Sequence, residues 1–263
     1  MTEQIFLPAW ELPIPTHIEA VQAPAEVTGM VTQSGASPGQ TTHPLRSSLL
    51  RLDYPMPERL VPKLRRFVNL FVGQRNDLFH NHQSARRYHY RYPLVQYKTV
   101  DGLAALIGLT DAGVAATQEL AADPDFRTHC TEWLGPGSIW LEEHSDLLYL
   151  RPEADFSYRL SQYIALNEDN HRQWQQNPSL TARAALLERC LTGHILKFAS
   201  ALKWQLPPRS LEVCITDFRL RSARVFDTDM IAFDVLFRSN ISLPDSVGLG
   251  KAVSHGFGKI QTL

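Results

Sequence analysis

Two histidines one residue apart, His80 and His82, stand in the chemically richest stretch of this sequence. It runs Leu78-Phe79-His80-Asn81-His82, then Gln83-Ser84-Ala85-Arg86-Arg87, then Tyr88-His89-Tyr90-Arg91-Tyr92-Pro93-Leu94-Val95-Gln96-Tyr97-Lys98. On an extended backbone, positions i and i+2 share a face, and their Cα atoms lie roughly 6–7 Å apart. That gap holds one small reacting group. A free imidazole titrates near ~6.5, so one ring can be neutral while the other is charged around neutral pH. The pair then offers a general base and a general acid without a metal. Arg86, Arg87, Arg91 and Lys98 supply cations that can hold an anionic substrate and stabilise charge developing in a transition state. The tyrosines can stack on bases or hydrogen-bond a phosphate.

Each of these residues has a plainer reading. His-x-His is also half of many metal sites, but here only Asp77 lies close before the pair and no Asp, Glu or Cys follows within about ten residues. Two exposed loop histidines and a cross-strand tyrosine stripe are the structural alternatives. The letters His-Asn-His are not an HNH nuclease motif, whose ligands are spread over a ββα unit.

A second unusual stretch lies near the C-terminus: Gly248-Leu249-Gly250-Lys251-Ala252-Val253-Ser254-His255-Gly256-Phe257-Gly258-Lys259-Ile260. A glycine loop takes positive φ at several positions and can turn its amides toward one point. With Lys251, Ser254, His255 and Lys259 interleaved, it suits a phosphate backbone. It fits neither a P-loop, which needs Gly-Lys-Ser/Thr at fixed spacing before a helix, nor a dinucleotide fingerprint, because no βαβ unit follows. The alternative is a mobile glycine tail before a last short strand.

The elements that would position these residues follow from periodicity. Residues 1–44 read as an irregular lead-in, interrupted by Pro8, Pro13, Pro15, Pro24, Pro38 and Pro44. Ser48–Asp53 is a strand candidate. A helix opened by Pro57 or Pro62 carries Leu60, Val61, Leu64, Phe67, Val68 and Phe71 at helical spacing. Lys63, Arg65, Arg66 and Arg75 lie on its other face, as a solvated surface or as phosphate contacts. Leu94–Val100 and Gly102–Leu109 form a hairpin through Asp101-Gly102. Asp111 caps a helix that ends near Ala122, with Gly113 weakening it. Either 138–141 or 147–150 supplies a fourth strand, giving a ferredoxin-like half. The second half has a strand at Phe156–Leu160 and a long amphipathic helix from Leu180 to Leu202. Strands at Leu211–Leu220 and Ile231–Ile241 follow, then the glycine loop and a last strand. His194, within the long helix, reads as a satisfied interior histidine.

The bulk properties are those of an ordinary soluble globular protein. The chain has 263 residues, enough for one large or two small domains. It has no secretion-signal layout and no apolar run long enough for a membrane helix. Cys130, Cys190 and Cys214 are scattered, as expected of buried free thiols in a reducing cytosol. Lys+Arg and Asp+Glu nearly balance, at 26 against 27, yet residues 46–98 carry 11 against 3 while residues 99–188 carry 5 against 14. A basic first segment and an acidic middle can present one positive face, the footprint of a polyanion binder, or be ordinary surface charge.

Taken together, the motifs resemble one family. The glycine loop GxGKxxSxGFG at the end of the chain is similar to the signature of the RAMP superfamily of CRISPR RNA-binding proteins. Phe-His-Asn-His followed by Tyr-Arg-Tyr-Pro-Leu-Val-Gln-Tyr-Lys resembles the b-type branch of the CRISPR repeat-cleaving endoribonucleases. Ala165-Leu166-Asn167 resembles the family's tryptophan-leucine-asparagine segment, with Tyr163-Ile164 where the family often has Pro-Trp. The resemblance spans about residues 46–263; the lead-in departs from it.

The resemblance implies an α+β fold of tandem ferredoxin-like (RRM-like) domains, with a C-terminal glycine-rich loop. The expected division is an extension at 1–45, a first domain at 46–152 and a second at 153–263. It implies metal-independent cleavage of CRISPR precursor RNA by 2′-hydroxyl attack, with no cofactor, in the cytoplasm. His80, His82 and Tyr90 carry over as catalytic, although Tyr88 and His89 leave the tyrosine assignment open. Arg86, Arg87, Arg91, Lys98, Gly248, Gly250, Lys251, Ser254, His255, Gly256, Gly258 and Lys259 are the expected RNA contacts, with Lys98 as an alternative to Tyr90 for orienting the phosphate. CRISPR repeat RNA is the expected partner, with other effector subunits and a second copy of the chain as further candidates and no membrane. A non-catalytic RNA-binding subunit of the same fold is the alternative; the retained histidines count against it.

Overall fold

The computed structural model describes residues 40–80, 92–225 and 228–263. His82, Arg86, Arg87, Tyr90 and Arg91 lie outside the described residues.

The first half is built from β1 (Thr41–Pro55), α1 (Val61–Val72), β2 (Val95–Val100), β3 (Leu103–Leu109), α2 (Thr110–Ala122), α3 (Pro124–Leu134) and β4 (Ile139–Leu150). Its sheet is antiparallel in the order β2-β3-β1-β4. The strand expected from Ser48 begins at Thr41, inside the expected lead-in. Pro44 is tolerated there because β1 pairs with β4 from Thr41 but with β3 only from Ser47. The missing N–H of Pro44 therefore falls where β1 is still an edge. The hairpin turns at Asp101-Gly102 with positive φ at both residues, 51° and 78°. The two alternative fourth strands are one continuous strand. Leu64, Phe67 and Val68 of α1 meet Leu50, Leu52 and Leu106 of the sheet and Leu120 and Phe126 of α2 and α3 in one core.

The second half comprises β5 (Phe156–Tyr163), α4 (Glu168–Gln176), α5 (Leu180–Ala201), β6 (Val213–Val225), β7 (Thr228–Ser239) and β8 (Lys259–Thr262), with sheet order β6-β7-β5-β8. Each half therefore places its strands in the ferredoxin-like order, second-third-first-fourth. The connection from β7 to β8 holds no α-helix. It carries the glycine loop, with a single 3-10 turn at Val253–His255.

A shared core joins the halves. Leu45, Ile107, Leu109, Leu148 and Leu150 of the first sheet cluster with Leu160, Leu187, Leu191, Ile195, Phe198 and Phe237 of the second half. Backbone bonds cross as well: Ser242 N donates to Tyr149 O at 2.8 Å, and Arg151 N to Asn240 O at 3.0 Å. Of the three cysteines expected to be buried, Cys130 and Cys190 are, while Cys214 of β6 is exposed.

Candidate active site

α1 ends at Gly73, where φ is +56°, and the chain turns back through Asp77–His80. His80 N donates to Asp77 O at 3.2 Å, so His80 sits in a turn. Its Nε2 is hydrogen-bonded to the Gly73 carbonyl. A carbonyl only accepts, so Nε2 holds the proton and Nδ1 is the basic atom of the neutral ring. Arg65 Nη2 donates to His80 O at 2.9 Å. Burial holds the Arg65 guanidinium below its ordinary pKa, with the Tyr97 phenol opposing that shift. Tyr97 OH, fully buried, donates to Asn69 Oδ1 at 2.9 Å and contacts Phe79 O at 3.4 Å. α1 and β2 thus fix the turn that presents His80.

β2 also holds the glycine loop. Tyr92 OH donates to Gly248 O at 2.6 Å, and Gly248 N donates to Gln96 Oε1 at 2.9 Å. Gln96 Nε2 donates in turn to Tyr92 OH at 2.9 Å. Lys98 is 0 % exposed, and its Nζ donates to Phe257 O at 2.9 Å and Val253 O at 3.4 Å. Burial, then the like charge of Lys259, pushes the Lys98 pKa down to about 7, against the pull of Glu58. The sequence places Lys98 at the phosphate; the structure places it beneath the loop, with its protons directed at loop carbonyls.

The glycines serve close approach. A Cβ at Gly248 would stand 2.7 Å from Lys98 Nζ, and one at Gly256 would stand 3.0 Å from Val61 of α1. The loop amides are largely committed to the protein. Leu249 N donates to Gly258 O, Lys251 N to Ile164 O, Gly256 N to Val253 O and Gly258 N to Gln162 O. From the other side, Ala223, Val225, Met230 and Ala232 of the β6–β7 hairpin cluster with Ile164, Ala252 and Phe257. The expected fan of free amides is therefore a docked loop stitched to both halves. What it offers outward is side chains. Lys251 is exposed, and Ser254 and His255 are half-buried. Lys259 is paired with Glu58 at 2.8 Å and donates to Thr99 O at 3.2 Å.

His80 and the glycine loop are thus brought onto the same two elements, α1 and β2. Arg65, Tyr92 and Gln96 were not singled out for these roles by sequence reasoning. The signal for the clamp was present: Gln96 and Lys98, polar and two apart, alternate in the strand with Val95 and Tyr97. Among the described residues, no three His, Cys, Asp or Glu side chains cluster as a cation site, and no helix is long and apolar enough to cross a membrane.

The fold is thus two ferredoxin-like halves with the glycine loop docked against both. Residues 44–130 match the Cas6b N-terminal domain family, and residues 152–263 match the Cas6b C-terminal domain family. The chain belongs to the Cas6b family of CRISPR-associated endoribonucleases. A crystal structure of Cas6b superposes with a TM-score of 0.69 at 21 % identity, covering 84 % of this chain and 100 % of that one. A crystal structure of the CRISPR RNA processing endoribonuclease Cas6b gives a TM-score of 0.64 at 21 % identity, with the same coverage of both chains. An uncharacterized protein of Methanocaldococcus jannaschii is 28 % identical over 101 residues, 38 % of this chain and 67 % of that protein.

Proposed function

We propose that this enzyme binds CRISPR repeat RNA and cuts the precursor transcript into guide RNAs by metal-independent transesterification. The 2′-hydroxyl before the cut attacks the adjacent phosphorus, and the bond from phosphorus to the 5′-oxygen breaks. The products are a 2′,3′-cyclic phosphate and a 5′-hydroxyl. One of His80 and His82 removes the 2′ proton and the other protonates the leaving oxygen. Tyr90 orients the phosphate, and Arg86, Arg87, Arg91, Lys251 and Ser254 grip the strand. The observation that carries this reading is the fixed His80 ring, its Nε2 proton held by Gly73 and its Nδ1 left as the exchanging atom. Lys98 is reassigned from phosphate contact to support of the glycine loop. Other effector subunits and a second copy of the chain are further proposed partners, tested by co-purification and by light scattering with and without RNA.

The test incubates purified protein in EDTA with labelled repeat RNA from its own genome, beside the same RNA carrying 2′-deoxy at the cut. The ribose substrate is expected to give a single cyclic-phosphate product, and the deoxy substrate to bind and stay intact. Cleavage of the deoxy substrate, or inhibition by EDTA, overturns the mechanism. Binding without cutting of either RNA would mark the chain as a non-catalytic RNA-binding subunit.

A further inference from the structure

On the outer side of the glycine loop, three proton donors meet around Tyr163. Gly250 lies so close to the Tyr163 ring that a Cβ there would stand 2.7 Å from it, and Lys251 N donates to Ile164 O at 3.0 Å. Lys251 is therefore held beside the end of β5. Tyr163, 0 % exposed, shares a 2.6 Å hydrogen bond between its OH and Nδ1 of His194 on α5. A buried phenol needs an acceptor for its proton, so the hydroxyl donates to Nδ1 and the neutral imidazole keeps its own proton on Nε2. Lys197 follows His194 by three residues, on the same side of the helix.

The electrostatics of this patch are one-sided. Burial, then the charges of Lys197 and Lys251, depresses the pKa of His194 to about 4. Burial and Lys197 likewise lower the pKa of Lys251. Neither lysine has an ion-pair partner among the described residues, and both are exposed. Two cations held within reach of each other, with no counter-charge, repel unless an anion joins them. The patch also borders Tyr92, which holds the glycine loop. Phe198, next to Lys197, packs edge-on against Tyr92 at 5.4 Å between ring centroids, and Tyr92 directly follows Arg91 in the chain.

We propose that Lys197, Lys251 and the Nε2–H of His194 form a phosphodiester-binding site that grips the RNA strand where it flanks the cut. The inference rests on the RNA-cleaving reading above, and it assigns Lys197 and His194 a part in substrate binding that the sequence did not indicate. A phosphate there accepts from two ammonium groups and one imidazole N–H, donors that match its oxygens. His194 contributes a neutral donor, because Tyr163 fixes its tautomer and burial keeps it uncharged.

The experiment measures equilibrium binding of the full-length protein to its labelled repeat RNA, blocked by 2′-deoxy at the cut, from about 50 to about 300 mM KCl. Each phosphate neutralised on a single strand contributes about 0.7 to the salt slope. The Lys197→Ala/Lys251→Ala double variant is expected to reduce that slope by about 0.7 and each single variant by less, with Lys→Arg versions restoring it. Lys203→Ala, exposed just beyond α5 and outside the proposed site, should leave the slope unchanged. An unchanged slope in the double variant overturns the site. So does an equal loss in Lys203→Ala, which would mean diffuse charge. Failure of the wild-type protein to bind repeat RNA would instead sink the functional reading on which the site rests.

Discussion

The two halves share a strand order but differ at the second crossover. In the first half, α2 and α3 fill the path from β3 to β4 and close a core over the sheet, while the turn after α1 presents His80. In the second half, the path from β7 to β8 has no α-helix. The chain there reaches across to α1 and β2 of the other half, where Val61, Tyr92, Gln96 and Lys98 receive it. A crossover helix covers its own sheet. A crossover loop satisfies only part of its backbone with its own hydrogen bonds, so it needs neighbours with polar groups placed to meet the rest. The first half supplies them, and the same two elements present His80. His80 and the loop are thereby held to one support.

The largest effect expected from breaking this arrangement is on chemistry in the first half. His80→Ala should lower single-turnover cleavage of repeat RNA by roughly 10²–10⁴-fold, the range for loss of a general acid or base. Binding of the deoxy-blocked RNA should change little, because the ring meets the protein through Gly73. Parallel loss of binding would place His80 in the grip and not in proton transfer.

Next comes the loop of the second half. Gly258 has φ +66°, and a Cβ there would come within 1.8 Å of Leu249 O. Gly258→Ala combines left-handed strain with a backbone clash, and should cost on the order of 3 kcal/mol or more by chemical denaturation. A variant of wild-type stability would show that the loop can leave β2 at little cost.

How much of this was legible depends on whether a feature is local. The Asp101-Gly102 hairpin and the stripe of α5 were readable because turn chemistry and helical period are short-range. α3 was passed over although Asp123 caps it through the Asp125 and Phe126 amides and Pro124 opens it. α4 was passed over although Asn167 caps Asn170 N and Glu168 and Asp169 fill its first turn. In both cases the capping signals stood in the sequence: α2 was simply ended near Ala122, and Asn167 was read as part of a motif. Gly113 was read as weakness, whereas a Cβ there would stand 2.7 Å from Leu94 O. The meeting of Lys98 with Phe257 joins residues far apart in the chain, and no spacing rule reaches that far. An isolated lysine among basic neighbours reads as a phosphate contact until its burial is known.

That buried lysine gives a pH-dependent test of the join between the halves. The folded pKa of Lys98 lies at about 7, below the ordinary lysine value of 10.5. Above about neutral pH the unfolded chain therefore binds the proton that the folded chain has released. Stability attributable to Lys98 should rise with pH across that window, by at most about 1.4 kcal/mol per unit. Lys98→Met keeps much of the volume and removes the titration. The stability difference between wild type and variant should therefore grow in favour of wild type from about pH 7 to about pH 9. A flat difference would mean that Lys98 stays charged throughout and that its bonds to Phe257 O and Val253 O are charge-assisted.

The smallest effect sharpens the contrast between glycines. Gly193 lies inside α5, and a Cβ there meets nothing within 4 Å. With no positive φ to lose, Gly193→Ala should stabilise the protein by roughly 0.5–1 kcal/mol through helix propensity alone. Gly258 and Gly193 would then be opposite cases in one half, one required by close approach and the other tolerated at a cost. Gly193 also adjoins His194 in the chain. If the stabilised variant keeps full affinity for repeat RNA, the open space over Gly193 is incidental. If affinity falls while stability rises, that space belongs to the ligand, and the strand passes over α5 at Gly193 on its way to Lys197 and Lys251.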